Sequence, residues 1–307
     1  FGINPPENQG FTQTFNLIEQ TTKNVNLLIG NKDFTVLKDF SISPSIIMKQ
    51  EIENEIVFIG YGIEEEGYNN YKDLDIKGKA VFIMEGMPKK GKVEGEWFMK
   101  ERIELAKEKG ASLVMFQSPQ LKDNLIKYEH YYDKPKLVLK EEVDENETIV
   151  VAVTTDLTQE IAEQAGMKWK KVLKKGLNQE NGQELEFKLE IDKPTEFLKS
   201  ENILAFIPGT EKPEEVVILT AHYDHIGKEG DVVFNGADDD GTGTVTMLEI
   251  AQAFQQAVVD SVGPKRSILI MPVSGEEKGL LGSKYYSNHP IFPLENTVAN
   301  LNVDMIG

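Results

Sequence analysis

The 307-residue sequence has no cysteine. That excludes disulfides, thiolate metal ligands and a cysteine nucleophile, and it suits either a reducing cytosol or a secreted chain that needs no covalent staples. No apolar run approaches the roughly 20 residues that a membrane-spanning helix requires. Basic residues are in short supply: 33 Lys and Arg face 51 Asp and Glu, leaving a formal charge of −18. Such a surface opposes binding to nucleic acid or anionic lipid and favours cations or neutral substrates. Histidine is scarcer still, with four in the chain. FGINPPENQG at the start carries neither an initiator Met nor a leader pattern, and NVDMIG at the other end reads as a buried strand, so a fragment or processed form is expected. What is present is globular material, 40% hydrophobic and 27% charged, in an amount that fits about two domains.

Two rhythms divide the chain near residues 190–200. In the first, short β-rich runs alternate with turns: EIVFIGYG (55–62), KGKAVFIMEG (77–86), ASLVMFQSP (111–119), PKLVLK (135–140) and TIVVAVTT (148–155). Helices are expected over 97–109, where Phe98, Ile103, Leu105 and Ala106 sit among charge pairs and Gly110 closes the pattern, and over 157–175, with Asp156 as N-cap. His130 is the only histidine of this region and its carboxylates are scattered, so a packing or lid role is expected of it. From Ser200 onward, strands over 201–209, 214–222, 266–274 and 297–305 alternate with helices over 242–259 and 279–288. That order marks an α/β layer with a mostly parallel sheet, in which ligands gather beyond the carboxyl ends of the strands.

Polar residues cluster at those ends. One strand runs into His222 and Asp224, the next into Glu276 and Glu277, the last into Asp304, and the turn NGADDDGTG (235–243) lies between the first strand and its helix. Singly, each has a plain structural explanation: a hydrogen-bonded histidine, a solvated helix cap, a surface pair, a strand-end cap. Together they bring at least five carboxylates and an imidazole to one rim. Two carboxylates about 4 Å apart repel by roughly 4 kcal/mol at an effective dielectric of 20. The helix N-terminus near Gly241 offers only about half a positive charge against that, so the carboxylates must protonate, spread into water or bind a cation, and the imidazole tips the choice toward a metal. Mixed His and carboxylate donors suit Zn2+ or a similar ion better than Mg2+ or Ca2+. More carboxylates than one zinc needs implies two ions with one Asp bridging them.

AHYDHIG, NGADDDGTG, SGEEKGLLGS and NLNVDMIG, in this order and spacing, resemble the metal-binding motifs of the M28 family of zinc aminopeptidases over about residues 198–307. The resemblance implies an α/β fold whose mostly parallel sheet is flanked by helices. Residues 1–49 are similar to the N-terminal part of that peptidase domain, without its first helix; 50–195, through VFIGYGI and LDIKGKAVFI, to the β-rich α+β protease-associated (PA) domain that some members insert; 196–307 to the metal-site half, truncated at its C-terminus. The implied activity is that of a metal-dependent exopeptidase, hydrolysing the N-terminal peptide bond of peptides with two Zn2+, a bridging water and a Glu general base.

Carried over residue by residue, the resemblance makes His222 and Asp304 ligands of the first zinc, Glu277 of the second, and Asp239 the bridge. Asp224 would hold the His222 imidazole in its ligating tautomer, Asp240 would position Asp239 across a cis peptide, and Glu276 would be the general base and acid. The family's fifth ligand, a His well downstream of Asp304, has no counterpart before Gly307. The second ion is therefore expected to rest on Asp239 and Glu277 alone, and the chain as it stands to bind it poorly and to have little activity. Asp238 is expected to be a cap or outer hydrogen-bonding residue, His225 a non-ligand and His289 structural. The resemblance also implies peptide substrates, no nucleic acid, no membrane span and a secreted or periplasmic location. The alternatives are a non-catalytic receptor or binding module on the same fold, and a carboxypeptidase or single-zinc glutaminyl cyclase.

Overall fold

The computed structural model describes residues 2–21, 23–43, 49–89, 93–129, 134–144, 146–176 and 185–306. His130 lies outside them. Two compact units emerge: Phe1–Glu19 with Leu137–Glu142 and Glu196–Gly307, and Gln20–Lys136 with Val143–Thr195.

The first unit is built on a four-stranded sheet with the order Ala205–Ile207, Arg266–Val273, Lys212–His222, Thr297–Asn302. Lys212–His222 is parallel to both its neighbours, and Ala205–Ile207 is antiparallel to Arg266–Val273. The continuous apolar run VVILTAH is buried on both faces because alternate residues meet different partners. Val216 and Ile218 join Leu269, Met271 and Val273 on one face, under Tyr286 of the helix Leu281–Asn288. Leu219 and Ala221 join Ile268 and Ile270 on the other, under Met247 and Ala251 of the helix Gly241–Val259. Truncating such a side chain as Met247 costs about 2–5 kcal/mol, so both helices are fixed against the sheet. Register aligns the strand ends: His222 lies opposite Val273 and Thr220 opposite Asn302. Asp224, Glu276 and Asp304, each two or three residues past these positions, therefore leave the sheet at the same edge.

The second unit holds an eight-stranded mixed sheet. Lys49–Phe58, Ala80–Ile83, Leu113–Gln117 and Ile149–Val153 form its parallel centre. Helix Met99–Glu108 packs on one face, and Thr155–Gln164 and Trp169–Lys175 on the other. Three expectations change here. The boundary expected at residue 50 falls inside this unit, because Val25–Ile29, Lys32–Thr35 and Phe40–Ser43 hydrogen-bond into its sheet. The single helix expected over 157–175 is two, since Gly166 at φ 76° ends the first. Its cap is Thr154, whose hydroxyl accepts from the Leu157 amide, and not Asp156, which sits in the first turn. Among the described residues no helix is long and apolar enough to cross a membrane.

Candidate metal centre

The NGADDDGTG turn folds around Asp240, which is 2% exposed. Its Oδ1 accepts from the amides of Gly243 (3.0 Å) and Met305 (3.2 Å), and its Oδ2 from the amide of His222 (3.2 Å). Asp240 is thus the N-cap of Gly241–Val259 and ties that helix to two strand ends. The glycine at 243 is required by close approach: a Cβ there would lie 2.2 Å from Asp240 Oδ1 and 2.6 Å from the Val303 carbonyl. Asp238 instead takes the Thr242 hydroxyl on its carbonyl at 2.9 Å. Of the two roles expected of it, the helix cap belongs to Asp240, while its carboxylate does accept a hydrogen bond, from the Thr242 hydroxyl at 3.3 Å. Asp240 is committed inward, whereas Asp239 is half exposed and faces the histidine; the peptide between them is cis.

His222 is 3% exposed. Its Nδ1 lies 2.9 Å from the Asp224 main-chain carbonyl, which can only accept, so Nδ1 carries the hydrogen and Nε2 keeps a free lone pair. That Nε2 stands 3.0 Å from Asp239 Oδ1 and 3.8 Å from Glu276 Oε2. Asp224 therefore does orient the ring, but through its carbonyl; its carboxylate, 3.9 Å from Nδ1, accepts instead from the Glu276 amide at 3.2 Å. The imidazole is held above the ordinary histidine range. Burial is the largest influence and pushes it down, but the Asp224 hydrogen bond and the charges of Glu276, Asp224 and Asp240 outweigh it.

Glu276 and Glu277 follow the end of Arg266–Val273 in a loop closed by hydrogen bonds from the Leu281 amide to Gly275 O and from the Leu280 amide to Glu276 O, both 2.9 Å. Glu276 is raised above the usual carboxylate range, first by burial and then by Glu277, Asp304 and Asp224, with His222 opposing. A carboxyl poised in this way can both accept and return a proton. Glu277 turns toward His225, and their Oε1 and Nδ1 stand 2.8 Å apart. Both atoms are buried and neither has a hydrogen-bond partner.

Two groups of donors result. His222, Asp240 and Asp304 have atoms within 4.8 Å of one another, as do His225, Asp239 and Glu277. In the first group the Asp240 oxygens already accept the three amides above, while Asp239 Oδ1 stands 3.0 Å from His222 Nε2. Imidazole nitrogens with carboxylate oxygens are the donor set of zinc. The two orphaned buried atoms of the second group, which would each cost about 1–3 kcal/mol unpaired, fit a cation as well. Every residue expected at the site is brought to this edge. His225, expected to be a non-ligand, also lies at this edge beside Glu277; its position three residues past His222 is the only sequence signal, with no motif to mark it.

Residues 202–307 match the model of peptidase family M28. A probable zinc metalloprotease of Pyrenophora tritici-repentis is 37% identical over 115 residues, a match covering 34% of this chain and 22% of that protein. Aminopeptidase YwaD of Bacillus subtilis is 36% identical over 110 residues, covering 35% and 22%. An aminopeptidase from Aneurinibacillus sp. strain AM-1 is similar in structure, with a TM-score of 0.48, 18% identity, and coverage of 96% of this chain and 60% of that one. The match thus spans about a fifth of each of these two curated relatives, 22% of their length.

Proposed function

We propose that the chain is part of an M28 zinc metallopeptidase that removes N-terminal residues from peptides. The observation that carries this reading is the convergence of His222, Asp239, Glu276, Glu277 and Asp304 on one sheet edge, within the segment that matches the family. His222, Asp239 and Asp304 would hold one zinc, and Asp239 with Glu277 the second. Zinc, when bound, supplies Lewis acidity that acidifies water and polarises a carbonyl.

The rest is the work of the chain's own side chains. Asp224 turns His222 so that Nε2 faces Asp239, and fixes the Glu276 backbone through its carboxylate. Glu276, beside His222 Nε2, takes the proton from the attacking water and hands it to the departing amine. Its presence, together with His222, Asp239, Glu277 and Asp304 at the same edge, argues against a binding module without catalysis.

The test is Glu276→Gln in the intact parent protein, assayed on aminoacyl p-nitroanilides before and after chelation. Turnover should fall by about 10²–10⁴-fold while zinc content is unchanged, and chelation should abolish wild-type activity. Undiminished turnover in the variant would remove Glu276 from the chemistry.

We extend the reading to the second unit as an inserted domain of the protease-associated kind, since the chain enters it at Gln20 from the first unit and, apart from Leu137–Glu142, stays in it until Thr195. An experimental structure of this unit that superposes on no such domain would overturn that assignment. A secreted or periplasmic location belongs to the same proposal; fractionation finding the parent protein in the cytosol would contradict it.

A further inference from the structure

We propose that Ser200, Glu201 and Asn202 form a bracket that positions the loop carrying Glu276, with Asn202 as its main positioning residue; the inference rests on the peptidase reading above. The three follow one another near the end of the strand Thr195–Ile203, and each holds a different part of the site's frame. Ser200 Oγ lies 2.7 Å from Ser274 Oγ, where the loop begins. The Glu201 carbonyl accepts the Tyr223 hydroxyl at 2.6 Å, between His222 and Asp224 in the chain. Asn202 Nδ2 donates to the Gly282 carbonyl at 2.8 Å, where the loop ends. The loop itself is closed, because the Gly282 amide donates to Ser274 O at 2.8 Å, just outside the bonds from Leu281 to Gly275 and from Leu280 to Glu276. Fixing residues 274 and 282 therefore fixes the backbone from which Glu276 projects.

Asn202 is fully buried, and its partners settle which way the amide points. The carbonyls of Gly282 and His289 can only accept, so the Asn202 atom facing the first is nitrogen, and Gln13, whose Nε2 donates to the second at 2.8 Å, turns its Oε1 to Asn202 Nδ2 at 3.0 Å. Both donors of one amide are thus spent on the end of the loop and, through Gln13, on the end of the helix Leu281–Asn288 that follows it. The Oδ1 atom is buried without a hydrogen-bond partner. An unpaired buried acceptor costs stability that an apolar side chain at 202 would not, so stability alone does not account for an asparagine here. The loop is also pressed onto it: a Cβ at Gly282 would lie 2.2 Å from Asn202 Oδ1 and 2.6 Å from the Ser274 carbonyl. Proton transfer needs this closeness of fit, since a displacement of about 1 Å can cost about 10²-fold in rate, and a reacting group on a loop depends on supports of this kind.

The test is steady-state kinetics of the intact parent protein on aminoacyl p-nitroanilides at saturating zinc, for the wild type, Asn202→Asp, Tyr223→Phe and Leu204→Ala, with zinc content and Tm measured on each. Asn202→Asp keeps the shape and removes the donors. Its kcat should fall by about 10–100-fold with KM and zinc content unchanged, as when an interaction serves the transition state and not the bound substrate. Tyr223→Phe, which frees the Glu201 carbonyl, should lower kcat in the same way but by less. Leu204→Ala, in the buried core two residues further on, should lower Tm and leave kcat as it is. Wild-type kcat in a folded Asn202→Asp, or an equal loss of kcat in Leu204→Ala, would overturn the inference and leave the peptidase reading standing. If Asn202→Asp does not fold, Tyr223→Phe decides, and wild-type kcat there overturns it. A wild-type parent with no zinc-dependent turnover would overturn both.

Discussion

Asp240 lies beside the proposed metal site, yet its chemistry is structural. Its two oxygens accept three main-chain amides, from His222, Gly243 and Met305. Asp240→Ala removes a helix cap worth about 1 kcal/mol and strands two further amides at about 1–3 kcal/mol each. We expect the zinc-free protein to lose about 3–7 kcal/mol in urea denaturation; a loss under about 1 kcal/mol would mean that those amides find other partners. The contrast with Asp239 could be read from sequence only through resemblance, because three adjacent aspartates look alike until the backbone assigns each a direction. The same limit explains Asp224. Sequence placed it next to His222, but whether its carbonyl or its carboxylate meets Nδ1 depends on the turn geometry, and the carbonyl does.

At the scale of elements, strand ends and helix starts do the positioning. Gly243 illustrates the conflict between local preference and tertiary fit. Helix propensity alone says that Gly243→Ala should stabilise by up to about 1 kcal/mol. The 2.2 Å and 2.6 Å approaches to Asp240 and the Val303 carbonyl say the reverse, since overpacking a tight site costs about 1–3 kcal/mol. We expect a lower Tm and weaker zinc binding; a raised Tm would show that the helix slides to make room. These elements were legible because each joins a continuous apolar run to a polar terminus, which fixed their order and the shared edge. Less was legible where the signal is local and weak. The strands Val25–Ile29 and Leu185–Asp192 alternate buried and exposed residues over short spans, and their pairing depends on partners more than 150 residues apart. The hairpin Gly227–Glu229 with Val232–Phe234, just past His225, also carried no expectation, which is why that histidine looked free.

For the whole molecule, stability should depend on metal and on pH. An ion that binds only the folded chain adds about 2.7 kcal/mol at a hundredfold excess over its Kd, so zinc should raise Tm and a chelator should reverse the rise; an unchanged Tm would count against a site in the native state. Lys193 sets a pH dependence of its own. Burial first, and then the charge of Lys136, pull its pKa down to about 8. Between about 8 and the ordinary lysine value the unfolded chain holds more of that proton, so stability rises with pH across this window. Lys193→Met should flatten the rise in urea midpoint and stabilise the protein below pH 8; an unaltered slope would mean the ammonium is better solvated than its burial suggests. The central claim remains that the aspartate turn and three strand ends form one zinc centre. Zinc-edge anomalous diffraction from crystals of this chain grown with zinc tests it directly. The expected map has one peak bounded by His222 Nε2, Asp239 and Asp304 and a second reached by Asp239 and Glu277; peaks confined to other surface carboxylates, or none at this edge, would contradict it.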